Sequence, residues 1–149
     1  MDQQLVVFEL ANEHYGVEIS TVESIIKMQE ITRIPRSPVF VEGIINLRNM
    51  VLPVIDLRKR FGQDSHEITK DSRIMVVALG TMKVGMIVDA VSEVLQVSAE
   101  SIDPPPLVTA SSRENFIIGI AKLDNLLVIL LDVSRILTTD EQLELSAIG

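Results

Sequence analysis

The chain has 149 residues, a formal net charge of -8 and no cysteine, and aromatic residues make up only 3 % of it. The missing cysteines exclude disulfides, thiol catalysis and thiolate metal sites, and they fit a reducing compartment. The acidic balance and the scarcity of stacking side chains argue against nucleic acid and anionic membrane surfaces as partners. The length suits one ordinary domain, or two very small subdomains that share a core.

The N-terminus MDQQLVVFEL has an acidic second residue and no basic start, so no signal peptide is predicted. The longest unbroken apolar run, 126–131, is far shorter than the roughly 20 residues that a membrane-spanning helix needs. We therefore expect a cytoplasmic protein with no direct membrane insertion.

Apolar residues, mainly Val, Ile and Leu, make up 47 % of the chain, and this composition favours strands. Ten short segments are predicted strands: 5–10, 15–19, 25–28, 43–47, 51–55, 74–79, 84–88, 94–97, 116–123 and 126–131. Ser20 with Glu23 resembles a capping box and predicts one helical turn over 21–24. Thr139 with Gln142 is a second such box, in a mostly helical segment 134–145.

The stretch 40–61, FVEGIINLRNMVLPVIDLRKRF, combines a hairpin with a short helical turn. Arg48 and Asn49 form its two-residue turn, and Asn tolerates the positive φ that such turns require. Asp56 is a good N-cap for residues 57–61.

The two halves of the chain repeat each other. An offset of 69 residues aligns Gly16 with Gly85, and an offset of 76 residues aligns FVEGIINLRNMVLPVID with FIIGIAKLDNLLVILLD. Each unit offers about five strands, the size of a small closed barrel. The prediction is a mainly β fold: one domain, 1–149, of two packed barrels at about 12–62 and 81–138, between which strands can be exchanged. The alternative is a single larger sandwich with accidental similarity.

No catalytic constellation is visible. Asp56 and Asp132 occupy the same slot in the repeat, so capping explains them better than a carboxylate pair does. His14 lies in a hairpin turn and His66 in a polar loop, and neither has a second ligand at metal-binding spacing. Phosphate-binding glycine loops are absent, and the serines at 72, 111 and 112 lie in loops. We expect no enzyme, metal or cofactor.

Apolar surface is the remaining candidate for function. Val22 and Ile25, with their repeat mates Val91 and Val94, lie where a strand bends into the next and could line a groove for an amphipathic helix. The same residues could equally be plain core. Arg48 could be merely solvated, or it could fix an acidic partner through a bidentate contact.

The segment PRSPVFVEGIINLRNMVLPVIDLRKRFG closely resembles the signature of the CheW-type chemotaxis coupling proteins, and EHYGVEI, VESI and VGMIVDAVSEVL resemble other parts of that family. The resemblance implies two five-stranded Src-homology-3-like barrels. It also implies a scaffold without catalysis that joins the cytoplasmic tips of chemoreceptors to the kinase CheA, in arrays under the inner membrane.

The resemblance further implies which residues meet the partners. The receptor-facing set is Val22, Ser24, Ile25, Gly43, Arg48, Ile74, Val91 and Val94. The set facing the regulatory domain of CheA is Ile31, Arg33 and Val41. Family members often carry an acidic residue where Ser24 stands, and a glycine where Asn49 stands.

Two other functions remain as alternatives: a double barrel that binds a small ligand, and a stand-alone regulatory module of another two-component system. Ligand binding would need convergent polar groups in the cleft. The residues predicted to line the cleft are nearly all aliphatic, which counts against it.

Overall fold

The structure is a computed structural model that describes residues 2–63, 68–105 and 116–148. Its strands are β1 Asp2–Leu10, β2 Glu13–Glu18, β3 Val22–Lys27, β4 Val41–Leu47, β5 Met50–Asp56, β6 Arg73–Leu79, β7 Met82–Val88, β8 Ala90–Ser98, β9 Ile102–Asp103, β10 Ile117–Leu123 and β11 Leu126–Leu131. Its α-helices are α1 Leu57–Arg60 and α2 Thr139–Ile148, and short 3-10 turns cover Ile19–Thr21, Ala99–Ser101 and Val133–Arg135. The predicted class, mainly β with short helical turns and a C-terminal helix, is confirmed.

The described strands form two sheets. The first has five strands in the order β3-β6-β7-β5-β4, and the second has six in the order β8-β1-β2-β11-β10-β9. Most neighbours are antiparallel, but β5 pairs with β7 and β11 pairs with β2 in parallel. Because β9 has only two residues, each sheet consists essentially of five strands.

Each sheet takes strands from both halves of the chain. The first sheet combines β3, β4 and β5 with β6 and β7, whereas the second combines β1 and β2 with β8 to β11. The sheets therefore cross the limits of the predicted units, 12–62 and 81–138, and strands are exchanged between the halves. Replacing each strand of the first sheet by its repeat mate reproduces the order of the second, so the repeat is one of topology as well as of sequence.

The strands bury both faces, which explains their almost continuous apolar sequences. In β1, Leu5 and Val7 lie in a small core inside the second sheet, whereas Val6 and Phe8 lie in the central core between the sheets. In β6 the same alternation divides side chains between the first sheet's own core and the central one. Two small barrels packed against each other thus share one central core.

Aromatic side chains hold the middle of this central core together. Phe8 stacks on Tyr15 with ring centroids 5.9 Å apart, and Tyr15 contacts Phe61 at 5.6 Å. Phe61 in turn stacks on Phe116 at 4.8 Å. The chain of rings connects β1 and β2 with the residue that follows α1 and the residue that precedes β10. Few aromatics are therefore enough to link the two barrels.

The turn and caps predicted for the central hairpin are confirmed. Arg48 and Asn49 have φ of 51° and 66°, as a primed hairpin turn requires. The Asp56 carboxylate accepts a hydrogen bond from the Arg58 backbone N–H at 3.0 Å, and Asp132 accepts one from the Ser134 backbone N–H at 3.0 Å. Both aspartates thus act as N-caps at equivalent positions.

The predicted capping boxes fare differently. The first is wrong: residues 19–21 form a 3-10 turn whose N-cap is Glu18, without a side-chain cap bond. The second lies one residue earlier than predicted. The Thr138 hydroxyl accepts from the Glu141 backbone N–H at 3.1 Å, and the Glu141 carboxylate accepts from the Thr138 backbone N–H at 2.8 Å.

Candidate interaction site

Two equivalent edge strands expose apolar side chains. Among the described strands, β3 pairs only with β6 in the first sheet, and β8 pairs only with β1 in the second. Ile25 on β3 is 40 % exposed, and Val94 on β8 is 51 % exposed. Covering a large aliphatic side chain that keeps this much surface in water is favourable in free energy, so such a side chain favours the binding of a partner.

Val22 and Val91 begin the same two edge strands but are only half-buried, and both pack against the central core. The structure therefore supports both alternatives at these positions. One part of each side chain contributes to the core, and the rest lies at the margin of the exposed edge.

Ser24 and Arg48 come together in one shallow depression of about 90 Å³. The side chains that line it are Glu23, Ser24, Leu47, Arg48, Met50, Leu52, Val76 and Lys83. Its floor is apolar, since Leu52 and Val76 are almost fully buried, and its rim carries two cations and one carboxylate. The arrangement suits an apolar anchor with a charged group beside it.

Arg48 lies at the tip of the β4–β5 hairpin and is exposed. Among the residues that the structure describes, no hydrogen bond or ion pair engages its guanidinium. A guanidinium has five N–H donors in a planar fork that matches a carboxylate. Arg48 is therefore available to an acidic partner.

Gly43 and Ile74, two further members of the predicted receptor-facing set, lie beneath the surface. A Cβ at residue 43 would lie 2.1 Å from the Thr32 carbonyl oxygen, and φ of Gly43 is 149°, where side chains are strained. Ile74 is fully buried in the first sheet's own core, next to Ile26 on β3. Ile74 thus lies beneath β3, whereas Gly43 lies against the segment 31–32, and neither offers a side chain to a partner.

The predicted kinase-facing residues lie around the start of β4. Arg33 is exposed, Ile31 is half-buried against the first sheet's core, and Val41 is 7 % exposed in the central core. Thr32 forms a two-bond bridge with Ile44, which fixes this segment along the edge of β4. Arg33 is thus the member of this set that presents its side chain to solvent.

Exposed residues that the sequence did not single out lie beside both sets. Val39, in the loop before β4, is 84 % exposed, and Met50 at the hairpin tip is 48 % exposed. Glu23 and Lys83 line the depression as an ion pair, with 3.2 Å between the Glu23 carboxylate and Lys83 Nζ. The internal repeat gave no indication of this pair, because the residue of the other half that aligns with Lys83 is a histidine.

Charged groups elsewhere serve the structure. The Arg58 guanidinium forms an ion pair with Asp89, and the Asp89 carboxylate also accepts from the Ala11 backbone N–H at 2.9 Å. The hydrogen bond to Asp89 raises the pKa of Arg58. Burial raises the pKa of Asp56, against the backbone hydrogen bonds from Lys59 and Arg58 that lower it. Such shifts belong to packing and capping.

Within residues 2–63, 68–105 and 116–148, no group of three or more His, Asp or Glu side chains is placed to hold a metal ion. Ser72 is buried and accepts a hydrogen bond from the Thr69 backbone N–H, a local turn contact. His66, Ser111 and Ser112 lie outside the described residues. None of the described helices combines the length and the apolar character that crossing a membrane requires.

Two barrels that share a core, exposed apolar edges and a cationic hairpin tip define a protein-interaction module. The CheW-like domain family matches residues 4–141, nearly the whole chain. The chain therefore belongs to the CheW-like domain family.

Relatives and a solved structure agree with this assignment. The chain is 34 % identical to the chemotaxis protein CheW of Klebsiella aerogenes over 139 residues, covering 93 % of this chain and 84 % of that protein. It is 35 % identical to CheW of Bacillus subtilis over 135 residues, covering 91 % and 86 %. It superposes on the crystal structure of the scaffolding protein TtCheW from Thermoanaerobacter tengcongensis with a TM-score of 0.85 at 44 % identity, covering 95 % of this chain and 96 % of that one.

These matches confirm the predicted function: the protein is a non-enzymatic scaffold of chemotaxis signalling that couples chemoreceptors to the kinase CheA. Neither the ligand-binding alternative nor the separate regulatory module gains support from them.

Proposed function

We propose that the scaffold acts by holding the cytoplasmic tip helices of chemoreceptors against one surface and the regulatory domain of CheA against another. The observation that carries this proposal is Arg48, which no described residue engages, on the rim of an apolar depression that the exposed edge strand β3 borders. An amphipathic helix binds such a surface through apolar residues at i, i+3, i+4 and i+7. An acidic residue on the helix would pair with Arg48.

The receptor surface in this proposal has an exposed layer and a supporting layer. Ile25 and Val94 supply apolar contact area, and Ser24 and Arg48 supply polar contacts. Val22 and Val91 extend the apolar margin toward the central core. Ile74 supports this surface through its packing under β3, and Gly43 allows the close approach of Thr32 to β4.

The kinase surface in this proposal centres on Arg33. Ile31 and Val41 anchor the backbone around it in the two cores, so Arg33 stands on a firmly placed segment. The chain as a whole carries a net negative charge, whereas Arg33 is positive. The charge of Arg33 therefore suits an acidic patch on a partner. With both partners bound, the protein would work in the cytoplasm, recruited to receptor arrays at the inner membrane.

The test compares Arg48→Asp with the wild type for binding to a receptor-tip helical hairpin and, separately, to the CheA regulatory domain. Asp tolerates the positive φ at residue 48, so the turn should persist. Reversing the charge at a central contact should weaken receptor binding about tenfold or more. Calorimetry or surface plasmon resonance measures both affinities, and binding to the CheA domain should stay unchanged.

Lys122→Asp is the matched control. Lys122 lies on the equivalent hairpin of the second sheet, its side chain is 62 % exposed, and the substitution changes net charge equally. The control should bind the receptor hairpin as the wild type does. Equal receptor affinity for Arg48→Asp and the wild type would remove Arg48 from the receptor site.

A further inference from the structure

The Glu23–Lys83 ion pair exists because of an irregularity in the edge strand. Val22 pairs with Val77 and Ser24 pairs with Val76, so Glu23 is an extra residue in a β-bulge between β3 and β6. A bulge redirects the side chain of its extra residue away from the regular alternation. The Glu23 carboxylate thereby reaches across β6 to Lys83 Nζ on β7, 3.2 Å away.

This pair occupies part of the candidate receptor site. Glu23 and Lys83 line the same depression as Ser24 and Arg48. The depression therefore contains two cations, of which Arg48 is unengaged by the described residues and Lys83 is already paired with a carboxylate of the same chain. Glu23 therefore occupies the place beside Lys83 that a carboxylate of a partner bound at Arg48 would otherwise take.

The pair is weak enough to exchange. Its side chains are 39 % and 43 % exposed, so water and salt screen the attraction. Exposed ion pairs of this kind contribute little to folding stability. Opening the pair to admit a partner therefore costs little, and closing it again restores neutrality at Lys83 when no partner is bound.

We infer that the Glu23–Lys83 pair is a specificity-determining charge gate of the receptor site, in which Glu23 competes with an acidic residue of the receptor helix for Lys83. The inference rests on the proposed function. The partner it selects is a helix that presents a carboxylate beside its apolar face, strong enough together with Arg48 to displace Glu23. A helix with a neutral or basic residue at that position leaves the gate closed.

The experiment measures the affinity of Glu23→Gln, Lys83→Gln and the wild type for two probes at two salt concentrations. One probe is a receptor-tip helical hairpin, and the other is the same hairpin with the carboxylates of its contact face changed to amides. Asp103→Asn is the control, because it also removes one acidic group from an exposed lysine pair, in the second sheet.

Glu23→Gln should bind the acidic hairpin about two- to fivefold more tightly than the wild type, with a steeper loss of affinity in salt. Lys83→Gln should bind it more weakly, because Glu23 then remains next to Arg48 without its own cation. The amide hairpin should not distinguish these variants. Asp103→Asn should match the wild type with both probes.

Equal affinity of Glu23→Gln and Asp103→Asn for the acidic hairpin would overturn the gate while leaving the proposed function in place. An equal gain of affinity for the amide hairpin would overturn it as well, because competition between carboxylates would not be the cause. A wild-type protein that binds neither hairpin would overturn the proposed function together with the gate.

Discussion

The two halves of the chain share their backbone irregularities and differ in the residues placed on them. Each half has a β-bulge at the start of its edge strand, with Glu23 as the extra residue in one and Ser92 in the other. Glu23 pairs with Lys83, whereas the Ser92 hydroxyl donates to Glu9 at 3.4 Å. The same bulge therefore carries an ion pair in one half and a long hydroxyl–carboxylate hydrogen bond in the other.

The hairpins repeat this contrast. The bulge in β4 has Glu42 as its extra residue, paired with Lys59 at 2.7 Å, whereas the bulge in β10 has Ile118, which is 45 % exposed. Arg48 at one tip corresponds to Asp124 at the other. Duplicated geometry thus supplies two sets of equivalent outward positions, and the residues that stand on them differ in charge.

The largest expected difference between the halves concerns their equivalent glycines. A Cβ at Gly43 would overlap the Thr32 carbonyl oxygen at 2.1 Å, at a φ of 149°. A Cβ at Gly119 would meet the Asp103 carbonyl oxygen at 3.0 Å, a contact that small shifts relieve. Gly43→Ala should cost more than about 3 kcal/mol of unfolding free energy, and Gly119→Ala about 1 to 2 kcal/mol. Urea denaturation of both variants measures the difference.

Similar losses in the two glycine variants would show that the segment around Thr32 moves aside easily, and that the halves are alike in this respect. Thr32 lies between Ile31 and Arg33, so a shift of this segment in Gly43→Ala should also change binding to the CheA domain. Gly119→Ala serves as the comparison in that assay.

A second difference is the bridge between Arg58 and Asp89, which has no counterpart in the other half, where residue 58 corresponds to Ser134. The side chains of Arg58 and Asp89 are 14 % and 25 % exposed. Arg58→Met keeps most of the aliphatic stem but removes the charge and two hydrogen bonds. It should cost about 2 to 3 kcal/mol.

Ser134→Ala is the matched control for Arg58→Met. It removes a hydroxyl that donates to the Asp132 carboxylate at 2.6 Å on the exposed surface, so it should cost less than about 1 kcal/mol. Thermal and urea unfolding of the two variants measure both effects. Equal losses would mean that the partly buried bridge contributes no more than a surface contact does.

Local chemistry made part of the fold predictable. Asn at a two-residue turn and Asp before a short helix act through their own backbone neighbours, so Asn49, Asp56 and Asp132 were correctly assigned from sequence. The cap at Thr138 was misplaced by one residue, because Thr139 offers the same hydroxyl. The box predicted at Ser20 failed because Glu23 belongs to β3, which pairs with β6, a strand far away in the sequence.

The site was less predictable than the fold, because it depends on which strands become neighbours. The exposed positions Ile25, Val94 and Arg48 follow from the repeat and the hairpin tip. The burial of Ile74 follows only once β6 is known to pair with β3. Lys83 joins the site through the exchange of β7 into the first sheet, which no local pattern records.

The smallest expected effect is a change in the pH dependence of the unfolding free energy at Asp56, which distinguishes the contribution of its charge from that of its capping hydrogen bond. Burial raises the pKa of Asp56 above the ordinary aspartate value of about 3.9. A carboxyl whose pKa is raised by folding stabilises the folded state most at low pH, and this contribution is lost as pH rises through the folded-state pKa. Asp56→Asn keeps an oxygen that can accept from the Arg58 backbone N–H, and it has no charge to bury.

The unfolding free energy of Asp56→Asn should therefore gain on the wild type as pH rises from about 4 to 7, with a difference within about 1 kcal/mol at pH 7. Asp56→Ala should follow the same pH trend while losing about 1 kcal/mol at every pH, because it lacks the cap. Urea titrations across this pH range measure both curves. A wild-type curve parallel to that of Asp56→Asn would show that burial of the carboxylate is not the dominant influence on the pKa at this cap.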